Sequence, residues 1–276
     1  MKRLAALFFA VIACCSVCYA QDPDSVALVS ADWKIEKLPR GVVSRSVQVD
    51  IFDSRQTISM IKYRTNRFYT RIVQNKEFAT VSSTAKRVNA VAAVNGSYWD
   101  MSTSIPSTYV RIDGHDVSNS GSSHSSVVNG IAVFGKRIFE IYECDTTRYG
   151  YYASRYDNIM ASGPILIDDG RSFDYSGRTE SICEHRHPRS VIGKTGRGET
   201  ILLVVDGRFK GEAEGLTIDE LVKVCRWLGM TDAINLDGGG SSTLWDGQKV
   251  LNHPFDNKQF DHEGERKVAN IIAVLK

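Results

Sequence analysis

Three consecutive glycines at the end of an apolar strand constrain this chain more than any other feature. The run Asn235-Leu236-Asp237-Gly238-Gly239-Gly240-Ser241-Ser242-Thr243 follows the short apolar segment Asp232-Ala233-Ile234. Glycine loses more chain entropy on folding than any other residue, so three in a row are rarely kept for packing alone. They let the backbone approach a ligand and turn several N–H groups to one side, an arrangement suited to a phosphate or another anion. Asp237 adds a carboxylate there, and Ser241 and Ser242 add hydroxyls. The bland alternative is a glycine-rich turn closing a buried strand.

The segment before the run is the clearest helix. Thr217-Ile218-Asp219-Glu220 fits a capping box, Ile218, Leu221, Val222, Cys225 and Leu228 form an apolar stripe, and Gly229 sits where a left-handed cap is expected. A similar order occurs earlier. Phe78, Val81, Ala85 and Val88 have helical spacing, a strand over 90–94 follows, and Asn95-Gly96-Ser97 makes a polar turn. Two helix–strand–turn units side by side would open both turns into one pseudo-symmetric cleft.

Most of the remainder reads as strand. Val42 to Tyr63 gives two runs around Asp53-Ser54, and 131–134 with 137–142 gives a hairpin across Gly135-Lys136. Shorter strands are expected at 110–112, 165–167, 191–192, 201–205 and 269–275, with 102–126 as long Ser/Thr-rich loops. The expected fold class is α+β: one sheet-rich domain with a few helices packed on mixed β-sheet. No linker rich in Pro, Gly or Ser divides it, so the domain is expected to run over 21–276.

Residues 1–20 read as a signal peptide, with the basic start Met1-Lys2-Arg3, the apolar stretch Leu4 to Val17, and Cys18-Tyr19-Ala20 as a cleavage site. The chain is therefore expected in the periplasm or cell envelope, or secreted. Val11-Ile12-Ala13-Cys14 also fits a lipobox, which would make Cys14 a lipid anchor. No other segment is long and apolar enough to span a bilayer. Of six cysteines only Cys144, Cys183 and Cys225 lie beyond the leader; Cys225 reads as core, and Cys144 with Cys183 is the favoured pair if any is bridged. The net charge of +2 is accounted for by Lys2 and Arg3, and no basic run is interleaved with aromatics, so nucleic acid is not an expected partner.

Besides the glycine run, polar groups stand beside turn glycines or strand ends at Asn95-Gly96, His187-Pro188-Arg189 and Asp206-Gly207-Arg208. A carboxylate and an arginine at the carboxyl end of a buried strand, as at Asp206 and Arg208, is a favoured position for a site. His185 and His187 lack a third ligand at recognisable spacing, so no metal or other cofactor is expected. Ser241 is not in a G-x-S-x-G elbow, and no local triad supports it as a nucleophile. The Tyr149-Gly150-Tyr151-Tyr152 cluster reads as a sugar platform or as packing.

Together these segments resemble the phosphodiester glycosidase family. The matching strings are AVNGSYW (93–99), ASGPILIDDG (161–170), HPRSVIG (187–193), LLVVDGR (202–208), the 217–229 helix, DAINLDGGGSSTLW (232–245) and ERKVANIIAV (265–274). Before about residue 90 the resemblance is vague. It implies hydrolysis of the bond between a sugar's anomeric carbon and a phosphodiester, as in an N-acetylglucosamine-1-phosphodiester or a phosphate-containing glycan. On that reading Asp237 is nucleophile or base, Asp206 its partner carboxylate, and His187 a proton donor. Arg189, Arg208 and Arg266 clamp the phosphate, Gly238, Gly239 and Gly240 offer N–H groups with Ser241 and Ser242 beside them, and Asn95-Gly96 contacts sugar or phosphate. The rival readings are a phosphodiesterase cutting P–O on the same scaffold and a non-catalytic envelope protein that binds glycan or anion.

Overall fold

Strands covered on both faces read as unbroken apolar runs, and Ile201-Leu202-Leu203-Val204-Val205 is the plainest example. In the computed structural model, which describes residues 22–103, 105–119, 127–178 and 180–276, Ile201, Leu203 and Val205 point into one core and Leu202 and Val204 into another. The strand Glu199–Val205 lies inside an eight-stranded sheet. In spatial order that sheet runs Lys34–Lys37, Val43–Ile51, Ser54–Arg64, Glu199–Val205, Arg189–Thr195, Met230–Asn235, Ile165–Asp168 and Arg171–Ser172. A five-stranded sheet holds His115–Ser118, Val110–Ile112, Ile159–Ser162, Gly130–Gly135 and Ile138–Glu143. A four-stranded sheet holds Leu244–Trp245, Ala92–Asn95, Val268–Leu275 and Tyr69–Ala79.

All three sheets meet in one central core. Ile61, Leu202 and Ile234 come from the first sheet, Ala132, Phe134 and Met160 from the second, and Val94, Ile272 and Val274 from the third. The outer faces are closed separately. Helix Ile218–Trp227 covers the large sheet with its Leu221, Val222, Val224 and Cys225 stripe, and its capping box is present at Thr217 and Glu220. Helix Val81–Arg87 covers the third sheet over Ala93 and Ile271.

The α+β, sheet-rich reading holds, with several corrections. Every named ladder is antiparallel, so the sheets are not mixed. Phe78 belongs to the strand Tyr69–Ala79, and the following helix starts only after Thr80, whose side chain caps Ser83 N. Pairing with Val268–Leu275 over most of that strand overrides the local helical spacing. Strand Ala92–Asn95 and strand Met230–Asn235 are not neighbours but lie in different sheets. Cys144 and Cys183 are free and buried in separate clusters, so they form no bridge. Among the described residues no helix is long and apolar enough to cross a membrane. The leader and the Cys14 lipobox lie outside the described residues.

Candidate functional site

Antiparallel pairing brings three chain corners to one end of the large sheet. Arg189 lies opposite Val205, and Val191 opposite Asn235. His187-Pro188 therefore enters the sheet where Asp206-Gly207-Arg208 and the glycine run leave it. The third sheet delivers a fourth corner at Asn95-Gly96. Asn95 Nδ2 donates to the Asp237 carbonyl at 2.6 Å, and Asp237 N donates to the Gly96 carbonyl at 3.2 Å. The two turns expected to share a cleft are thus joined across sheets rather than within one.

Each of the three glycines is required by a different neighbour. A Cβ on Gly238 would stand 2.8 Å from the Pro188 carbonyl oxygen. Gly239 has φ +61°, in the left-handed region, and a Cβ there would lie 3.2 Å from Arg208 Nη2. A Cβ on Gly240 would lie 2.3 Å from Arg266 Nη2 and 2.5 Å from its Cζ. The run is therefore a bed for two guanidinium groups, and its Gly238-Gly239-Gly240 backbone lines a cavity of about 380 Å³. His187, Arg189, Arg208, Asp237 and Arg266 line the same cavity.

The charges facing this space are lopsided. Arg189 is 2% exposed, donating from Nε to the Leu216 carbonyl at 2.8 Å and from Nη2 to the His185 carbonyl at 2.9 Å. It makes no ion pair among the described residues, and burial pulls its pKa down to about 10. A guanidinium carries five N–H donors, so donors remain for a ligand, and a buried cation without a counter-ion is costly until an anion arrives. Arg208 stacks over Phe255 at 5.5 Å and is also pushed downward, first by burial and then by Arg266. Arg266 alone has a carboxylate partner, Asp256, with Nε and Nη2 both on Oδ1 at 2.8 and 2.6 Å.

Asp237 is the one carboxylate among the described residues lining the cavity. Burial pushes its pKa up to about 6, against hydrogen bonds from Ser241, the Gly238 backbone and Trp99 and the field of Arg266. His187 is pulled down to about 4 by burial, Arg189 and Arg208. With Arg208 Nη2 donating to its Nδ1 at 3.3 Å, the neutral ring keeps its proton on Nε2. The ring also hydrogen-bonds the Ser181 backbone, which opposes that fall.

Other expected site residues lie behind the cavity wall. Asp206 is 1% exposed and does not line the cavity. Its carboxylate accepts from His253 N and Nδ1 and from Asn252 Nδ2 at 2.9–3.0 Å, and burial outweighs these donors to raise its pKa. Asn252 Nδ2 also reaches the Ser242 carbonyl at 3.1 Å, so Asp206 anchors the far end of the glycine run. Asn95 acts as a staple, its Oδ1 accepting from Ser190 Oγ and Thr243 N while Nδ2 donates to the Asp237 carbonyl. Gly96 is needed where a Cβ would meet Asn270 Oδ1 at 2.0 Å. Ser241 holds Asp237, and Ser242 is buried outside the cavity lining.

The cavity includes residues that sequence reasoning passed over. Asn235 is buried, its Nδ2 donating to Tyr98 Oη at 2.9 Å and to the Gly163 carbonyl at 3.0 Å, while its Oδ1 has no partner. Tyr98 also lines the cavity. Both sit in strings already noticed, NGSYW and NLDGGG, where the glycines drew attention from the flanking polar side chains.

A model of phosphodiester glycosidases matches residues 88–275. The chain belongs to the phosphodiester glycosidase family. The match begins where the sequence resemblance sharpens. Mouse (Mus musculus) N-acetylglucosamine-1-phosphodiester alpha-N-acetylglucosaminidase is 27% identical over 209 residues, which are 72% of this chain and 40% of that protein. Among solved structures, the zebrafish N-acetylglucosamine-1-phosphodiester alpha-N-acetylglucosaminidase catalytic domain, auto-inhibited by its pro-peptide, superposes with a TM-score of 0.70 at 18% identity, covering 89% of this chain and 88% of that one. A hypothetical protein from Synechocystis gives 0.67 at 16% identity, covering 88% and 63%. At those identities the likeness is one of fold.

Proposed function

We propose that this phosphodiester glycosidase family member hydrolyses the bond between the anomeric carbon of a sugar and a phosphodiester, releasing free sugar and a phosphomonoester. The observation that carries the reading is that, among the described residues, one carboxylate, Asp237, faces three arginines across a bed of glycine backbone. Glycosidases ordinarily bring two carboxyl groups to the scissile bond, one to protonate the leaving oxygen. A phosphate leaves without that help, so the second carboxylate is dispensable and an anion clamp takes its place. Arg189 and Arg208 supply planar forks for phosphate oxygens, with Arg266 beside them. Asp237, ionised above about pH 6, stabilises positive charge at the anomeric carbon or attacks it. Water supplies hydroxide to that carbon and the proton that stays with the phosphate.

N-acetylglucosamine, named in the mouse and zebrafish relatives, is the first sugar to test. The leader-like 1–20 stretch supports action in the envelope or outside the cell. NMR of the purified chain with an alkyl N-acetylglucosamine-1-phosphodiester gives free sugar and alkyl phosphate, and neither forms with Asp237→Asn. Release of sugar-1-phosphate would replace this reading with P–O cleavage, and tight binding without turnover would replace it with a binding protein.

A further inference from the structure

A polar strip interrupts the apolar face of the large sheet. On the face that carries Val42, Ile61, Leu202 and Val204 into the central core, the next positions are Ser46 opposite Ser59 and Gln48 opposite Thr57. They floor a second cavity of about 420 Å³, roofed by Val250, Leu251, His253, Phe260 and His262. Ser59 is 1% exposed, and its Oγ has no hydrogen-bond partner. A buried unsatisfied hydroxyl costs about 1–3 kcal/mol, and strand geometry would accept valine there more readily. The Oγ is closed off from solvent, so a ligand hydroxyl in the cavity removes that cost once the atoms covering Ser59 shift aside.

The chemistry of the walls selects the ligand. The charged side chains at this cavity cancel, Lys34 and Lys249 against Asp32 and Glu36, and both lysines lie within 3.4 Å of Glu36. Nothing here favours an anion, in contrast to the arginine site. Phe260 stacks on His253 at 3.9 Å and His253 on His262 at 4.4 Å, giving flat ring surface beside hydroxyl and amide groups. That combination fits a sugar, which offers C–H faces to rings and hydroxyls to polar side chains. The two cavities share no lining residue. Between them runs an aromatic ridge in which Phe255 packs on Phe209 at 5.2 Å and Phe209 on Phe260 at 5.3 Å.

We propose that this cavity is a second binding site for a neutral carbohydrate unit, separate from the Asp237 site. It stands whether or not Asp237 hydrolyses phosphodiesters. The test is imidazole-proton NMR of the full chain titrated with chitotriose, a neutral trisaccharide, and separately with inorganic phosphate. The expected result is saturable movement of the His253 and His262 signals with chitotriose, while phosphate moves His187. Ser59→Val keeps the melting temperature or raises it, and weakens chitotriose at His253 and His262 about tenfold or more, equivalent to ~1.4 kcal/mol. Phe260→Ala weakens it likewise. The proposal is overturned if chitotriose, cellotriose and maltotriose all leave His253 and His262 unmoved, if phosphate moves them instead, or if Ser59→Val binds as the natural chain does.

Discussion

Gly240→Ala separates a glycine kept for the fold from one kept for a charge. The added methyl carbon would lie 2.3 Å from Arg266 Nη2, 2.5 Å from Cζ and 2.9 Å from Nε, all at the free end of a flexible side chain. The backbone at Gly240 is outside the left-handed region, so alanine adopts it without strain. Removing glycine's freedom in the unfolded chain even favours the variant by about 0.4–1 kcal/mol. The fold therefore holds while the Arg266 guanidinium must leave its seat above the backbone. A hydrogen bond to a charged group contributes about 1.5–3 kcal/mol. If Arg266 meets the phosphate, its displacement lowers kcat/KM by about ten- to hundredfold. The assay is kcat/KM on an alkyl sugar-1-phosphodiester beside thermal unfolding, with Gly238→Ala as the contrasting variant. There the clash is with the rigid Pro188 backbone at 2.8 Å, so stability falls as well. An unchanged kcat/KM in Gly240→Ala would remove Arg266 from the clamp. A melting temperature lowered as far as in Gly238→Ala would show that the glycine serves packing.

Three further outcomes follow from the charges. Asp237→Asn is more stable than the natural chain at pH 8 but not below about pH 4. The folded-state pKa near 6 lies above the ordinary 3.8, so ionisation burdens the native state as pH rises through that window. The full shift corresponds to ~3 kcal/mol, and partial water access reduces it to about 1–2 kcal/mol, or roughly 2–6 °C in unfolding scans across pH; a difference independent of pH would refute it. If Asp237 acts ionised, kcat/KM climbs with pH through about 6, and His187→Gln leaves that limb in place because the ring titrates near 4; loss of the limb in the variant would reassign it to His187. Asp206→Asn turns an amide N–H₂ towards the His253 or Asn252 donors and costs about 1–3 kcal/mol of stability. Full stability with abolished turnover would instead give Asp206 a direct part in the chemistry.

Legibility in the sequence followed the range of the forces involved. The Thr217–Glu220 capping box and the Ile218 to Cys225 stripe are local, and both stand in the structure. Local too are the turn at Asp53 and the unbroken apolar run Ile201 to Val205, which stands as a doubly buried strand. Phe78 misled because its helical spacing lost to ladder pairing with a strand nearly two hundred residues away. Arg189 and Asp237 were found at strand ends, but their setting was not visible. The Leu216 and His185 carbonyls that hold the buried guanidinium come from other segments. Asp206 shows the limit most clearly. An Asp-Gly-Arg at the end of a buried strand looks like a reactive carboxylate, yet His253 and Asn252, more than forty residues on, close over it.

The placement of Asp206 behind the cavity wall bears directly on the proposed leaving group. Were the substrate an ordinary alkyl glycoside, a cavity with one carboxylate among its described lining residues would leave the departing oxygen without a carboxylic acid once Asp237 is ionised, above about pH 6. Around the same space stand three guanidinium groups, and among the described residues only Arg266 is matched by a carboxylate outside the cavity. Such a surplus of positive charge is a stability cost in the empty protein, offset when an anion binds. In the proposed reaction it would also lower the free energy of a phosphate that gains negative charge as the anomeric bond breaks, because the guanidinium groups are already in place and need no reorganisation. On the proposed reading, the one carboxylate among the described residues lining the cavity and the excess of cations there both follow from one chemistry, departure of a phosphate from an anomeric carbon.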